Sequence, residues 1–173
     1  MKLLNTIQKY DVFVFSWVIN AGVHNNLRKA CRYVTKIGDG ELYVVAMFLM
    51  VWFEGLQYPP LQAMLVAFCI ERPSYFVLKN SLRRNRPAAA IKGFHSFITP
   101  SDKFSFPSGH TSASFMVATL LGHYFPLLLI PLYCCAGLIG FSRVVLGVHF
   151  PTDILVGGAM GISIALFSIG QHI

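Results

Sequence analysis

Apolar residues follow one another along this chain in long runs, with no low-complexity stretch and no Pro/Gly/Ser-rich linker between them. Six runs approach the roughly 17 to 25 residues a helix needs to cross the hydrocarbon of a bilayer. They lie near 7–23, 41–57, 60–79, 107–124, 126–145 and 151–171. The first is the most polar, since Asp11 and Asn20 interrupt it, and it reads as a membrane helix rather than a removable signal because no small-x-small cleavage site follows. Five spans or a re-entrant segment is the alternative to six. The predicted fold is all-α: a polytopic membrane protein, a six-transmembrane-helix bundle forming one unit over residues 1–173.

Two polar connections are long, 24–40 and 80–106, and counting crossings puts both on one side of the membrane. The junction at 146–150 opens on that side too. The opposite side has only short connections, around Gly55–Pro59 and Tyr124–Pro126. One face is therefore elaborated and the other plain.

Composition agrees with a membrane setting: 55% of residues are apolar and 12% charged, against roughly 25% charged in a soluble domain. The net charge of +7 does not point to nucleic acid, because the basic residues fall in the two connections rather than on one amphipathic or aromatic-interleaved face. Cys31, Cys69, Cys134 and Cys135 have neither C-x-x-C nor Cys/His spacing and are expected to pack rather than bind metal. Gly38-Asp39-Gly40 reads mainly as a turn with a possible helix cap, and Gly157 with Gly161 as a close-packing pair on the last helix. Glu71, Arg72 and Pro73 lie inside the third run, and function and an intrabundle ion pair are equally open for them.

Three clusters stand on the elaborated face. In Lys79-x6-Arg86-Pro87, a compact ammonium and a planar guanidinium suit phosphate oxygens, although such a cluster is also an ordinary interfacial anchor. Pro107-Ser108-Gly109-His110 precedes the fourth run, where unpaired backbone N–H groups at a helix start make an anion site and a histidine at its edge is placed to pass a proton. An ordinary helix start with an incidental histidine is an equal reading of these four residues. In Ser142-Arg143-x5-His149-x3-Asp153, a helix beginning near Phe150 to Pro151 puts His149 and Asp153 on one side of its first turn. There the carboxylate can fix the imidazole tautomer for nucleophilic attack.

Together the clusters resemble the three signature motifs of the type 2 phosphatidic acid phosphatase (PAP2) superfamily, which includes glucose-6-phosphatase and the vanadium haloperoxidases. K-x6-R-P, P-S-G-H and S-R-x5-H-x3-D all match without departure, from the third run to the sixth. The resemblance implies a PAP2/haloperoxidase-like core with His149 as nucleophile, Asp153 orienting it, and His110 as general acid and then base. Lys79, Arg86, Arg143, Ser108 and the Gly109 N–H are implied to hold the phosphate, without metal or other cofactor. The implied partners are the bilayer and a lipid phosphate, with undecaprenyl pyrophosphate or phosphatidylglycerol phosphate ranked first. Arg83, Arg84, Lys92 and Lys103 beside the site suggest a polyanionic headgroup. A lipid A 1-phosphatase, a lipid phosphotransferase, a haloperoxidase and an anion-binding transporter are the alternatives. The resemblance places the site on the periplasmic or outer side of a bacterial inner membrane. A positive-inside count of Lys and Arg favours the cytoplasm instead. Oligomeric state is not legible in the sequence.

Overall fold

In the computed structural model, which describes residues 2–21 and 24–171, helices occupy all six apolar runs. They are α1 (Lys2–Asn20), α3 (Glu41–Glu54), α4 (Pro59–Leu82), α6 (Gly109–Tyr124), α7 (Leu129–Val145) and α8 (Pro151–Gly170). Two further helices lie in the polar connections: α2 (Asn25–Ile37) and the single turn α5 (Pro87–Ala90). The only β feature among the described residues is an isolated bridge between Asn85 and Phe104.

Three segments are long and apolar enough to cross a membrane: Pro59–Leu82, Pro126–Val145, in which a 3-10 turn over Pro126–Leu128 runs into α7, and Pro151–Gly170. The other three predicted spans are helical but fall short of that standard. α3 has 14 residues and α6 has 16, and α1 carries Asp11 in mid-helix. Large apolar side chains nevertheless cover the outside of the molecule, among them Phe48, Trp52 and Phe53 on α3, Leu138 on α7 and Phe167 on α8. A surface of this kind is stable against lipid and not against water. The chain is accordingly read as an integral membrane protein.

α6 is the centre of the bundle and packs against α4, α7 and α8. Its contact with α8 is very close because the facing positions on α8 are glycines. A Cβ on Gly161 would lie 2.1 Å from the Ser112 carbonyl oxygen, and one on Gly157 would lie 2.6 Å from that of Ser108. The small-residue pair thus does what its spacing predicts. Ala63, Met64 and Ala67 of α4 complete this core with Met116 and Leu120 of α6 and Ala165 of α8. A second cluster, Phe15, Val144 and Phe150, ties α1 to the α7–α8 junction.

The cysteines depart from expectation. Cys31 is buried, but Cys69, Cys134 and Cys135 are exposed free thiols on the outer faces of α4 and α7. An apolar run in a membrane helix has a lipid-facing side, so lying in one does not imply packing inside the protein.

Candidate active site

The start of α8 is fixed by its own sequence. Pro151 occupies the first turn, where a missing N–H costs nothing. The Asp153 carboxylate reaches back to accept the Phe150 backbone N–H at 2.8 Å. His149, in the five-residue turn before α8, then lies with Nδ1 3.5 Å from Asp153 Oδ2. That separation exceeds a well-formed hydrogen bond, and Nδ1 has no other partner. Nε2 is turned to the other side, 3.5 Å from Arg86 Nη1. Burial pushes the His149 pKa down to about 4; Asp153 opposes that shift, while Arg86 and Arg143 add to it. The imidazole is therefore a free base at neutral pH.

α6 begins at Ser108, whose hydroxyl caps the helix by facing the Thr111 N–H at 3.4 Å and the Thr111 hydroxyl at 2.9 Å. The Ser108 N–H donates to the Asp153 carbonyl at 3.1 Å, so the second and third motifs are joined through backbone. Next to it, Gly109 and His110 border a cavity of about 710 Å³. Lys79, Arg86, Arg143 and His149 border the same cavity, whose wall continues into the apolar side chains of Val44, Met47 and Phe68. Six of the eight residues expected at the site thus face one space. Ser108 and Asp153 stand behind it, fully buried.

The cations are pre-arranged. Lys79 Nζ and the Tyr75 hydroxyl each donate to Asp102 Oδ2 at 2.7 Å, and the Arg86 guanidinium is ion-paired to the same carboxylate. Arg86 Nη1 also donates to the Val148 carbonyl at 2.6 Å. Burial alone would raise the Asp102 pKa, but the bonds from Lys79 and Tyr75, with the charges behind them, hold it down to about 2. Arg143 is buried, with Nη1 on the Thr35 hydroxyl at 2.8 Å and Nε without a protein partner.

Several residues of the site escaped the sequence reading. Arg84 is not a headgroup contact. Its Nη1 donates to Asp153 Oδ1 and to the Thr152 hydroxyl, both at 2.7 Å, and its Nη2 is ion-paired with Asp11 of α1. Only 16% of its side chain is exposed. Arg83, Lys92 and Lys103 are exposed and do not line the cavity. Asp11, read as a blemish in the first run, is 2% exposed and also receives the Thr152 N–H. An acid in an apolar run was the available signal, since a buried charge requires a partner. Asp39 accepts from His110 Nε2 at 2.7 Å. Glu71 is wholly buried and forms with its neighbour Arg72 the ion pair that the sequence left open, and Arg72 also reaches the cavity wall.

The family model for the PAP2 superfamily matches residues 59–172. The chain belongs to the PAP2 superfamily. Among PAP2 relatives, it is 35% identical to a decaprenylphosphoryl-5-phosphoribose phosphatase of Mycobacterium tuberculosis over 95 residues, 51% of this chain and 48% of that protein. It is 36% identical to phosphatidylglycerophosphatase B of Bacillus subtilis over 111 residues, 57% of this chain and 51% of that protein. The chain therefore spans about half the length of the curated relatives it matches. The crystal structure of Aquifex aeolicus LpxE superimposes with a TM-score of 0.82 at 28% identity, covering 91% of this chain and 93% of that one. The PAP2 match starts at α4 and so includes all three motifs.

Proposed function

We propose that this PAP2 protein is an integral-membrane lipid phosphatase, crossing the bilayer six times, that hydrolyses a phosphomonoester or diphosphate of a lipid through a phosphohistidine on His149. The observation that carries this reading is the single cavity in which imidazoles and cations from α4, α6, α7 and the α7–α8 turn meet an apolar wall. A lipid phosphate has that same division between charge and hydrocarbon.

In this mechanism Lys79, Arg86, Arg143 and the Gly109 N–H hold the phosphate oxygens, and Ser108 keeps the helix start in shape. His149 Nε2 attacks phosphorus as the bond to the lipid oxygen breaks, and His110 gives its proton to that oxygen. His110 then takes a proton from water. The water oxygen attacks phosphorus, the P–N bond breaks, and inorganic phosphate leaves with His149 restored. Phosphoryl transfer is governed by positioning and by neutralising charge on the equatorial oxygens. Three cations and a helix N-terminus supply both, and activity is expected to persist in EDTA.

Phosphatidylglycerol phosphate and undecaprenyl pyrophosphate are the substrates ranked first. Similarity to a lipid A 1-phosphatase of Rhizobium johnstonii keeps the 1-phosphate of lipid A as the alternative. The site is assigned to the periplasmic or outer face of the inner membrane. Phosphate release from each lipid by purified protein, with and without EDTA, tests the reading. Phosphate release that persists in His149→Ala rejects the proposed nucleophile, and release only when an acceptor lipid is added makes the protein a phosphotransferase.

A further inference from the structure

The reaction above leaves Asp39 without a task, yet among the described residues it is one of two carboxylates paired with a histidine of the cavity. Its Oδ1 lies 2.7 Å from His110 Nε2 across a separation of 71 residues, so nothing local to either helix brings the two together. The backbone of the α2–α3 turn does. A Cβ on Gly38 would lie 3.0 Å from Ile139 Cγ2 and 3.2 Å from His110 Cδ2, so only a residue without a side chain lets the turn come this near without displacing a neighbour. Gly40 has φ +95° where α3 begins, in the region that glycine enters at little cost. The Gly-Asp-Gly sequence therefore sets a carboxylate against the imidazole.

Stability does not account for the pair. Asp39 is 46% exposed, and ion pairs at such sites contribute little to folding. Charge balance gives it a use. Arg72 from α4, Arg143 from α7 and Arg86 beyond α4 border the cavity with His110, and Lys36 of α2 borders the adjoining cavity that His110 also faces. All four are cations, and an imidazolium among them requires a counter-charge. Of the cavity's other carboxylates, Asp102 is committed to Lys79 and Arg86 and Glu41 lines the wall without an ion pair to His110 among the described residues, which leaves Asp39 in contact with the ring.

Resting on the reading of His110 as the acid and base of the reaction, we propose that Asp39 is a positioning residue for His110. It accepts the Nε2 hydrogen throughout, which leaves Nδ1 for the leaving oxygen and then for water. In the first step the Nδ1 proton passes to the lipid oxygen as the P–O bond breaks and the bond from His149 to phosphorus forms. In the second step Nδ1 takes a proton from water as the P–N bond breaks. Asp39 neither gains nor loses a proton.

The test separates the steps by leaving group. A lipid alkoxide needs a proton to depart, whereas p-nitrophenolate does not, so the burst of p-nitrophenolate reports attack by His149 with little help from His110. In Asp39→Asn, turnover of phosphatidylglycerol phosphate is expected to fall roughly 30-fold, less than the hundredfold or more that general acid–base catalysis supplies, because His110 itself remains. The ratio of burst rate to steady rate on p-nitrophenyl phosphate should rise by at least about tenfold, because dephosphorylation requires His110 as base. Asp39→Glu, which keeps the carboxylate, should recover part of the loss on both measures, and it carries the test if Asp39→Asn does not fold. Equal losses of burst and steady rate would mark a merely structural role and overturn the proposal, as would wild-type lipid turnover by Asp39→Asn. Wild-type phosphate release, and its loss in His149→Ala, tests the underlying reaction separately.

Discussion

His149 is 2% exposed and its partner Asp153 is wholly buried, whereas His110 and Asp39 stand on the rim with 23% and 46% of their side chains exposed. The carboxylate of the buried pair is firmly braced. Asp153 accepts the Phe150 N–H and an Arg84 hydrogen, and Arg84 is held by Asp11 and by Gln8. The rim pair rests on one turn between two glycines. A nucleophile must keep its lone pair and its aim, and burial among fixed donors provides both. An acid that must also become a base has to exchange protons with water, and exposure provides that.

The largest expected effect is on the buried side. His149→Ala should lower turnover at least about ten-thousandfold, as loss of an essential nucleophile does, and acid-quenched protein should carry no phosphohistidine by 31P NMR. Arg143→Ala should follow at about a thousandfold, since its guanidinium meets charge that develops on the phosphate. A loss confined to KM would show instead that Arg143 only binds.

Arg84→Ala should cost both activity and stability. Removing it strands the Asp11 and Asp153 carboxylates in the interior, a change worth roughly 3–5 kcal/mol, readable as a lower melting temperature in detergent. Asp153→Asn keeps the cap geometry and should slow turnover with little change in melting. If Arg84→Ala melts like wild type, the buried pair is less dependent on its bracing than the geometry implies.

The contrast also predicts a pH profile. His149 attacks as the free base, and its pKa is about 4, below the ordinary value near 6.5. Activity should therefore be lost as pH falls through about 4 and not through 6.5. The check is kcat/KM corrected for ionisation of the substrate. The smallest effect is expected from Asp102→Asn, which relieves Lys79 and Arg86 of a competing carboxylate. KM for a lipid phosphate should drop about two- to threefold, whereas a tenfold rise would assign Asp102 to shaping the clamp.

The buried half of the site was largely legible in the sequence, because His149 and Asp153 meet within one helical turn and Pro151 announces where that turn begins. The bundle was legible as apolar runs, and Gly157 and Gly161 even gave its closest contact. What sequence spacing could not give was pairing over long separations. Asp39 and His110 are 71 residues apart, and Asp11 and Arg84 are 73. No periodicity connects such positions; only the packing of α1 and of the α2–α3 turn against the motif helices does. α2 was missed because its polar face hid a helix inside what hydropathy reads as a connection.

One property of the cavity bears on how a catalytic cycle ends. Its walls pass from guanidinium and ammonium groups to Val44, Met47 and Phe68 without a break. In the proposed reaction, cleavage removes one phosphate from a substrate that belongs to both zones and so shifts the lipid's balance toward the apolar one. The lipid product keeps at most one phosphate group, so its hold on the cations is weaker while its chains still match the apolar wall, and inorganic phosphate is freed only after water has cleaved the phosphohistidine. The two products therefore form in order, the lipid first and the anion second.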